Sequence, residues 1–310
     1  MHRRRAQALA LAAGTAGDLA FGDPHRGHPV ALFGSAVAAS QRRLYRPRRA
    51  AGVRFAALWI TVGAAAGAVA GRAGPAGTAA AAFTALGGTT LCRVGGSIAD
   101  ALDARDIEAA RALLPSLVGR DPSLLDEAGI CRAAVESIAE NTSDATVAPL
   151  VFGAVAGPAG LLGYRAVNTL DAMIGYRNER YREFGWAAAR TDDLANLVPA
   201  RLTAVLAGVL SGHPVRAARA VRSDAARHPS PNAGVVEAAF AGALDISLGG
   251  RTVYAHGAED RPLLGDGPAP LAADLRAAVR LSRRVQLASA VLAVAWRGRR
   301  LRPAARRQRP

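Results

Sequence analysis

Residues 132–201 read RAAVESIAENTSDATVAPLVFGAVAGPAGLLGYRAVNTLDAMIGYRNERYREFGWAAARTDDLANLVPAR. This stretch groups carboxylates, side-chain amides, arginines and aromatic residues around a single apolar patch. The mixture is unusual for a protein core, which rarely holds charged residues without partners, and equally unusual for a solvated surface. We therefore interpret residues 132–201 as the active site and work outward from it.

Three acids open the stretch. If a helix continues from residue 132, then Glu136, Glu140 and Asp144 follow at positions i, i+4 and i+8 and share one face. Like charges at this spacing repel unless a cation or arginines compensate. The face therefore predicts a site for a divalent cation or an amine, with a solvated acidic face as the alternative.

Polar residues return after the apolar patch. Asn168 and Asp171 share a predicted helical face, and a dense cluster of donors and aromatic residues follows at 176–186. Arg190, Asp193 and Asn196 then repeat the combination of acid, amide and arginine. Interleaved basic and aromatic residues also suit single-stranded nucleic acid or a membrane surface, which remain alternatives for this segment.

The composition excludes several mechanisms. Hydrophobic residues make up 51% of the 310 residues and the formal net charge is +15. Every positive side chain is an arginine, because the chain has no lysine. A P-loop and a pyridoxal-phosphate Schiff base both need a lysine, so neither can be built. Any phosphate group must be held by arginine or by backbone N–H groups.

The arginines cluster beside apolar runs, at 3–5, 42–49 and 297–309. This placement follows the positive-inside rule of membrane proteins, so we expect no nucleic-acid partner. Val53–Ala70 is long enough to cross a bilayer and Ala76–Leu91 can return, which places the arginines of 42–49 and the residues after Cys92 in the cytoplasm.

The predicted fold is an all-α, multi-pass integral membrane protein of the cell membrane. Residues 1–310 are predicted to form one membrane-embedded domain, in which 92–145 and 213–280 are more soluble cytoplasmic segments. The apolar run Val147–Gly163 contains Pro149 and Gly157-Pro158, so a re-entrant hairpin and a span are equally compatible with it. The active site is expected on the cytoplasmic side.

Two further segments carry acidic residues or histidines. Ser97–Val118 has helical periodicity and predicts one amphipathic helix ended by Pro115, whose aspartates form a solvated face. In the N-terminal segment GDPHRGHPV, His25 and His28 are three residues apart, but Pro24 and Pro29, which flank them, disfavour a shared helical face. We therefore favour substrate contacts or turn capping by these histidines over a metal site.

Four motifs stand out in the chain: ESIAENTSD at 136–144, NTLDAMIGYRNERY at 168–181, FGWAAARTDDLANLVPAR at 184–201 and HPSPNAGVVEAAFAG at 228–242. They resemble motifs of the adenosylcobinamide-phosphate synthases of cobalamin biosynthesis, the CbiB/CobD family. GDPHRGHPV and RPLLG extend the resemblance over nearly the whole chain. The resemblance implies a multi-pass membrane enzyme that joins (R)-1-amino-2-propanol or its O-phosphate to a propionate carboxylate of adenosylcobyric acid.

A free carboxylate does not condense with an amine in water, so the acid must be activated, most simply as an acyl phosphate made from ATP. This step needs Mg²⁺ or a similar cation held by carboxylates, arginines for the phosphoryl charge and a base for the ammonium group. The predicted catalytic acids are Glu136, Glu140, Asp144, Asp171, Asp192 and Asp193, and the predicted metal ligands are Glu136, Glu140, Asp144 and Asp193. The predicted substrate contacts are Asp23, His28, Asn141, Arg165, Asn168, Arg177, Asn178, Tyr181, Arg190, Asn196, Arg201, His228, Asn232 and Glu237.

Two other classes of function fit part of the pattern. A membrane transporter, or a scaffold for other late cobalamin-pathway enzymes, would also carry polar residues among apolar helices, but it would not need grouped carboxylates and arginines. A membrane phosphotransferase is the enzymatic alternative, although the aspartates at 100–106 lack the glycine of its signature. Membrane lipid is an expected partner in each case.

Overall fold

A computed structural model describes residues 2–24, 27–119, 122–254 and 257–299 of the chain. The α-helices are α1 (His2–Phe21), α2 (Pro29–Leu44), α3 (Arg49–Arg72), α4 (Gly74–Ala85), α5 (Gly88–Asp103), α6 (Ile107–Leu113), α7 (Glu127–Thr142), α8 (Ala148–Ile174), α9 (Trp186–Ala195), α10 (Leu197–Ser211), α11 (Pro214–Asp224), α12 (Ala233–Leu244) and α13 (Ala272–Gly298). Short 3₁₀ turns occupy Leu114–Ser116 and Ala225–Arg227, and a π-helical turn, Ser143–Val147, joins α7 to α8.

Helix α3 contains the first run predicted to cross a membrane, and it is long and apolar enough to do so. It has 24 residues, and only 22% of its most apolar window is buried inside the protein. Valines and leucines along it face outward, among them Val62 at 42% and Val69 at 59% exposure. Within the described residues, two helical stretches are long and apolar enough to cross a membrane, Arg49–Arg72 and Glu127–Ile174. The bent pair α9–α10 would be a third if it acts as one span.

The predicted return crossing Ala76–Leu91 is wrong as a single helix. Helix α4 ends at Ala85, Leu86 is extended, and α5 begins at Gly88. Gly87 donates its N–H to the carbonyl of Ala145, so the break is tied to the turn between α7 and α8. At 12 residues, α4 is about 18 Å long and too short to cross a bilayer.

The Gly157-Pro158 pair folds α8 back on itself, as the re-entrant alternative predicted. Gly157 has φ 65° and ψ −147°, a conformation open almost only to glycine. The rings of Phe152 and Tyr164 stack with centroids 5.1 Å apart, whereas in a straight helix residues twelve positions apart are separated by about 18 Å. Arg297 donates to the carbonyls of Ala154 and Val155, which satisfies backbone groups released at the bend.

Replacing Gly157 by alanine will destabilise the protein by about 1–3 kcal/mol, because the backbone conformation is strained for any residue with a Cβ. The added Cβ would also lie 2.7 Å from Nη2 of Arg297. The matched control is Gly96→Ala in α5, where a Cβ meets nothing within 4 Å. We expect thermal unfolding in detergent to show a lower midpoint for the first variant only, and an unchanged midpoint would contradict the bend.

The predicted amphipathic helix Ser97–Val118 is two helices. Arg105 adopts a positive φ of 60° between α5 and α6, and the Asp106 carboxylate caps α6 by accepting from the N–H of Ala109. Asp100 and Asp103 are exposed and pair with Arg276 of α13. The acidic residues therefore form a solvated face, as predicted, and hold α5 against α13.

The all-α assignment is wrong in one detail, because the chain contains a two-stranded antiparallel hairpin. Strand β1 (Leu248–Tyr254) pairs with β2 (Gly257–Leu264), with an irregularity in register between Leu248 and Gly250. Gly249 and Gly250 lie in β1 and have φ of 77° and 80°. Paired glycines interrupted the alternating pattern by which a strand is identified.

Three apolar clusters form the interior. The largest joins α5, α7, α10, α11, α12, the hairpin and α13, and it carries the fully buried Ile130, Ile138 and Phe240. A second unites α1, α4, α8 and α13, and a third lies between α2, α3, α8 and α9 around Phe184. Elements from all three clusters converge on the polar residues of the 132–201 stretch.

Candidate active site

An open cavity of about 640 Å³ lies where α7, α8, α9, α10 and α12 meet. We name it the acidic cavity, because five carboxylates and two guanidinium groups line it: Glu140, Asp144, Asp171, Asp192, Asp193, Arg177 and Arg261. The structure thus brings five of the six predicted catalytic acids together. Asn196 and Asn232, predicted substrate contacts, line the same cavity.

The π-helical turn Ser143–Val147 begins between Glu140 and Asp144 and interrupts the regular spacing of the three acids of the first motif. Glu140 and Asp144 line the acidic cavity, whereas Glu136 does not. The single acidic face predicted from the spacing is divided between two cavities.

Amides from two helices orient the central carboxylates. Asn168 donates its side-chain N–H to Oδ2 of Asp144 at 3.2 Å, and Asn196 donates to Oδ2 of Asp192 at 2.9 Å. Tyr164 donates its hydroxyl to Oδ1 of Asn196 at 2.9 Å, which fixes that amide. These hydrogen bonds fix the orientation of the two carboxylates. In each carboxylate, the other oxygen accepts no hydrogen bond from these amides.

A second network joins α9 to α10 and to the start of α12. Asn232 donates to the carbonyl of Asp193 at 2.7 Å and accepts from Nη1 of Arg201 at 2.9 Å. Arg201 also donates to the carbonyl of Pro231, so its guanidinium supports the loop instead of lining the acidic cavity. Arg190 pairs with Oδ2 of Asp193 at 3.4 Å.

Glu136 lies in an adjoining cavity of about 220 Å³ that shares Glu140 and Arg261 with the acidic cavity. Its Oε1 accepts from the N–H of Gly249 at 2.8 Å, and its Oε2 pairs with Arg261 at 3.2 Å. These partners occupy both oxygens, so Glu136 holds the β-hairpin against α7. The metal-ligand role predicted for Glu136 is not the one its contacts favour.

We expect Glu136→Ala to lower the free energy of unfolding by about 3 kcal/mol, because a buried carboxylate is removed from a guanidinium and an N–H that depend on it. Asp266→Ala is the control, since Asp266 is an exposed carboxylate that follows the same hairpin. Thermal unfolding will report the difference. Equal stability of both variants would show that the Glu136 contacts contribute nothing to the fold.

His228 and Glu237 line the cavity of Glu136, not the acidic cavity. Nε2 of His228 lies 3.9 Å from Oε1 of Glu237, and the N–H of Ser230 donates to Nδ1 at 3.1 Å. Both side chains are nearly fully buried, at 8% and 4% exposure. Their contacts order the turn that leads to Asn232.

A third cavity of about 310 Å³ extends the site on its other side, and it shares Tyr176, Arg177 and Asp193 with the acidic cavity. Tyr181, Arg182, Trp186 and Arg190 also line it, so its wall is aromatic and basic. Tyr181 accepts a hydrogen bond from Gln41, and Asn178 caps the turn by accepting from the N–H of Tyr181. Asn141, by contrast, is used within α7, where it donates to Ser137.

The N-terminal motif approaches the same region through Arg165. Nε2 of His28 lies 3.6 Å from Oδ1 of Asp23, and the N–H of Asp23 donates to Thr90. Arg165 of α8 lies within electrostatic range of both Asp23 and Asp144. Burial lowers the pKa of His28, with Asp23 opposing and Arg165 reinforcing the shift, so the imidazole is neutral at pH 7. His25 lies outside the described residues.

Several buried polar atoms of the site have no hydrogen-bond partner among the described residues. They include Oγ of Ser143, Oδ1 of Asp192 and Nε of Arg165. Native proteins pair nearly all buried polar atoms, so such atoms at a cavity wall indicate bound ligand or water. Among the described residues, no three His, Cys, Asp or Glu side chains are arranged to enclose a metal ion by themselves.

Four polar lining residues of the acidic cavity were not predicted from the sequence: Ser143, Tyr176, Ser230 and Arg261. Ser143 and Tyr176 stand beside recognised acids and arginines but carry no distinctive chemistry alone. Arg261 was visible in the RPLLG motif, yet only the hairpin brings it across to Glu136. No local pattern predicts a contact between residues 125 positions apart.

Comparison with known proteins identifies the family. The profile of the CobD/Cbib protein family matches residues 11–282. The "Cobalamin biosynthesis protein CobD" of Mycobacterium tuberculosis is 59% identical over 286 residues, 89% of this chain and 91% of the relative. The proteins of the same name from Geobacter metallireducens and Chromobacterium violaceum are 46% and 42% identical, over 85% and 90% of this chain and 88% and 93% of theirs. No solved structure matches the chain. The chain therefore belongs to the CobD/CbiB family of cobalamin biosynthesis proteins.

Proposed function

We propose that this chain is an ATP-dependent ligase that makes an amide between a propionate carboxylate of adenosylcobyric acid and (R)-1-amino-2-propanol or its O-phosphate. The product is adenosylcobinamide or its phosphate. The observation that carries the proposal is the acidic cavity, in which five carboxylates face two arginines beside unpartnered buried atoms. An ammonium group and a metal-bound phosphate are the ligands that such a wall attracts.

The reaction divides into two steps. A propionate oxygen of the corrinoid attacks the γ-phosphorus of ATP, which forms an acyl phosphate and releases ADP. The amine, after giving a proton to a carboxylate, attacks the acyl carbon and expels phosphate. Arg177 and Arg261, which line the acidic cavity, would stabilise the charge on the transferred phosphoryl group.

The carboxylates of the acidic cavity suit a cation that binds together with a nucleotide. Mg²⁺ in nucleotide enzymes takes one or two protein carboxylates and completes its shell with phosphate oxygens and water, so it needs no enclosed protein cage. Asp144 and Asp192 lie within electrostatic range of each other, and we assign them to the cation. When bound, Mg²⁺ would neutralise phosphate charge. Glu140, Asp171 and Asp193 remain to receive the ammonium group.

The sizes of the cavities suggest how the substrates share the site. A volume of about 640 Å³ accepts the aminopropanol phosphate and the phosphates of ATP, but not a whole corrin. We infer that the propionate arm reaches into the acidic cavity while the macrocycle stays outside. The aromatic and basic wall with Tyr181, Trp186 and Arg190 offers stacking and donor groups beside that opening.

We also propose that the protein is a multi-pass protein of the cell membrane with its site on the cytoplasmic side, where ATP is available. The outward apolar surfaces of α3 and α13, including Val69 and Val291, support this. We expect the protein in the membrane fraction after mild lysis, resistant to extraction by high salt and released by detergent. Recovery of a monodisperse soluble protein without detergent would contradict the proposed membrane location.

The activity test uses the purified chain in detergent with adenosylcobyric acid, MgATP and either free or phosphorylated aminopropanol. Mass spectrometry should detect the amide product, and ADP should form in proportion. The comparison of the two amines reports whether the phosphate is required. Corrinoid binding without product or ADP would favour a transporter or scaffold, and absence of both would reject the proposal.

A further inference from the structure

A cavity lined by arginines lies at the far end of α10 and α12 from the acidic cavity. Its volume is about 350 Å³, and we name it the arginine cavity for its polar lining residues, Ser211, His213, Arg216, Arg280 and Arg284. Ala200 lines the acidic cavity and Ser211 lines this one. Eleven residues of helix α10 separate them, which is about 16 Å along the helix axis. The two cavities are therefore separate sites.

Three guanidinium groups converge here without a carboxylate in the described lining. Arg280 and Arg284 are one turn apart on α13, where like charges repel, and Arg216 faces them from α11. Asp245 pairs with Nη1 of Arg216 at 2.7 Å, but Nε of Arg216 is buried and has no hydrogen-bond partner among the described residues. This arrangement calls for an anion with several oxygens.

The first turn of α11 adds positive electrostatic potential at the arginine cavity. The helix begins at Pro214, and its N-cap His213 makes no side-chain hydrogen bond to the turn. The following N–H groups therefore have no cap, and the positive end of the helix dipole lies at the cavity wall. A phosphate group suits both the N–H groups and the guanidinium forks.

The cavity is bordered by apolar surface that faces outward. Val205 and Val209 of α10 are 62% and 59% exposed, and Leu287 and Val291 of α13 are 50% and 67% exposed. Leu287 follows Arg284 by less than one helical turn, so the charged rim passes directly into the apolar face. Helix α10 belongs to a candidate membrane span and Ser211 is its last residue, which places the cavity at the end of that span.

We propose that the arginine cavity binds the phosphate of an anionic phospholipid head group, whose acyl chains lie along the apolar faces of α10 and α13. A soluble phosphate compound would satisfy the arginines but would leave that adjoining apolar surface uncovered. The site requires neither the acidic cavity nor its chemistry.

The test is a lipid titration of the purified full-length chain in neutral detergent, followed by native mass spectrometry and thermal unfolding. Phosphatidylglycerol is the probe, phosphatidylcholine is the zwitterionic control, and inorganic phosphate is the soluble control. We expect phosphatidylglycerol alone to bind and to raise the unfolding midpoint. In the double variant R280Q/R284Q, its apparent Kd should rise at least about tenfold, because two charge-assisted contacts are lost.

Arg283→Gln is the matched control, since Arg283 is an exposed arginine of α13 outside the cavity lining, and it should change the Kd by less than about twofold. If the double variant unfolds without lipid, the single Arg280→Gln variant replaces it. Binding that the cavity variants do not weaken would overturn the proposal. Equal stabilisation by inorganic phosphate would also overturn it, because the ligand would then be a soluble phosphate.

Discussion

We expect the variants Glu140→Gln and Asp193→Asn each to lower turnover by about a hundredfold or more. The two residues are far apart in sequence but line one cavity, so each amide removes a charge needed for the ammonium group or the cation. Residues that act as a unit have effects that do not multiply. The double variant should therefore be little slower than the slower of the two single variants.

The unfolding midpoint of each variant distinguishes a loss of turnover caused by the missing charge from one caused by misfolding. Five carboxylates share the cavity with two arginines, so removing one negative charge relieves repulsion. We expect unfolding midpoints at or above that of the unaltered protein. Glu108→Gln is the control for loss of a surface carboxylate, because Glu108 is 83% exposed and distant from the site. Losses that multiply would place the two acids at independent sites, and unaltered rates would show that neither acid is needed for turnover.

The sequence predicted the members of the site better than their roles. Spacing and residue type identified Asp144, Asp171, Asp192 and Asp193 as acids that act together, because helical periodicity is a local property. Glu136 was grouped with them on the same argument. Glu136 instead accepts hydrogen bonds from Gly249 and Arg261 of a distant hairpin, and neither contact follows from local spacing.

The prediction of the fold failed where tertiary contacts overrode local pattern. The apolar run through Leu86 looked like one crossing, but the N–H of Gly87 bonds to Ala145 and breaks the helix. Gly157-Pro158 allowed either a span or a hairpin, and only the stacking of Phe152 on Tyr164 decides for the hairpin. Such contacts join residues several turns apart or in separate elements, so the periodicity of the sequence does not predict them.

Excess chelator will abolish turnover, and added Mg²⁺ will restore it. The chain has no lysine, and the two arginines of the acidic cavity do not balance its five carboxylates together with a polyphosphate. Negative charge on the nucleotide would therefore be repelled without a divalent cation. Activity should follow the concentration of the Mg²⁺ complex of ATP, because the proposed cation arrives with its phosphates.

Chelation should leave the fold intact. A structural metal is enclosed by several protein ligands, and its removal usually unfolds the domain. The described residues form no such set of three ligands, so the unfolding midpoint without nucleotide should be the same with and without chelator. Loss of activity together with loss of structure would instead indicate a structural metal. Full activity in excess chelator would mean that the carboxylates of the acidic cavity bind the amine alone, and that the arginines suffice for the phosphoryl charge.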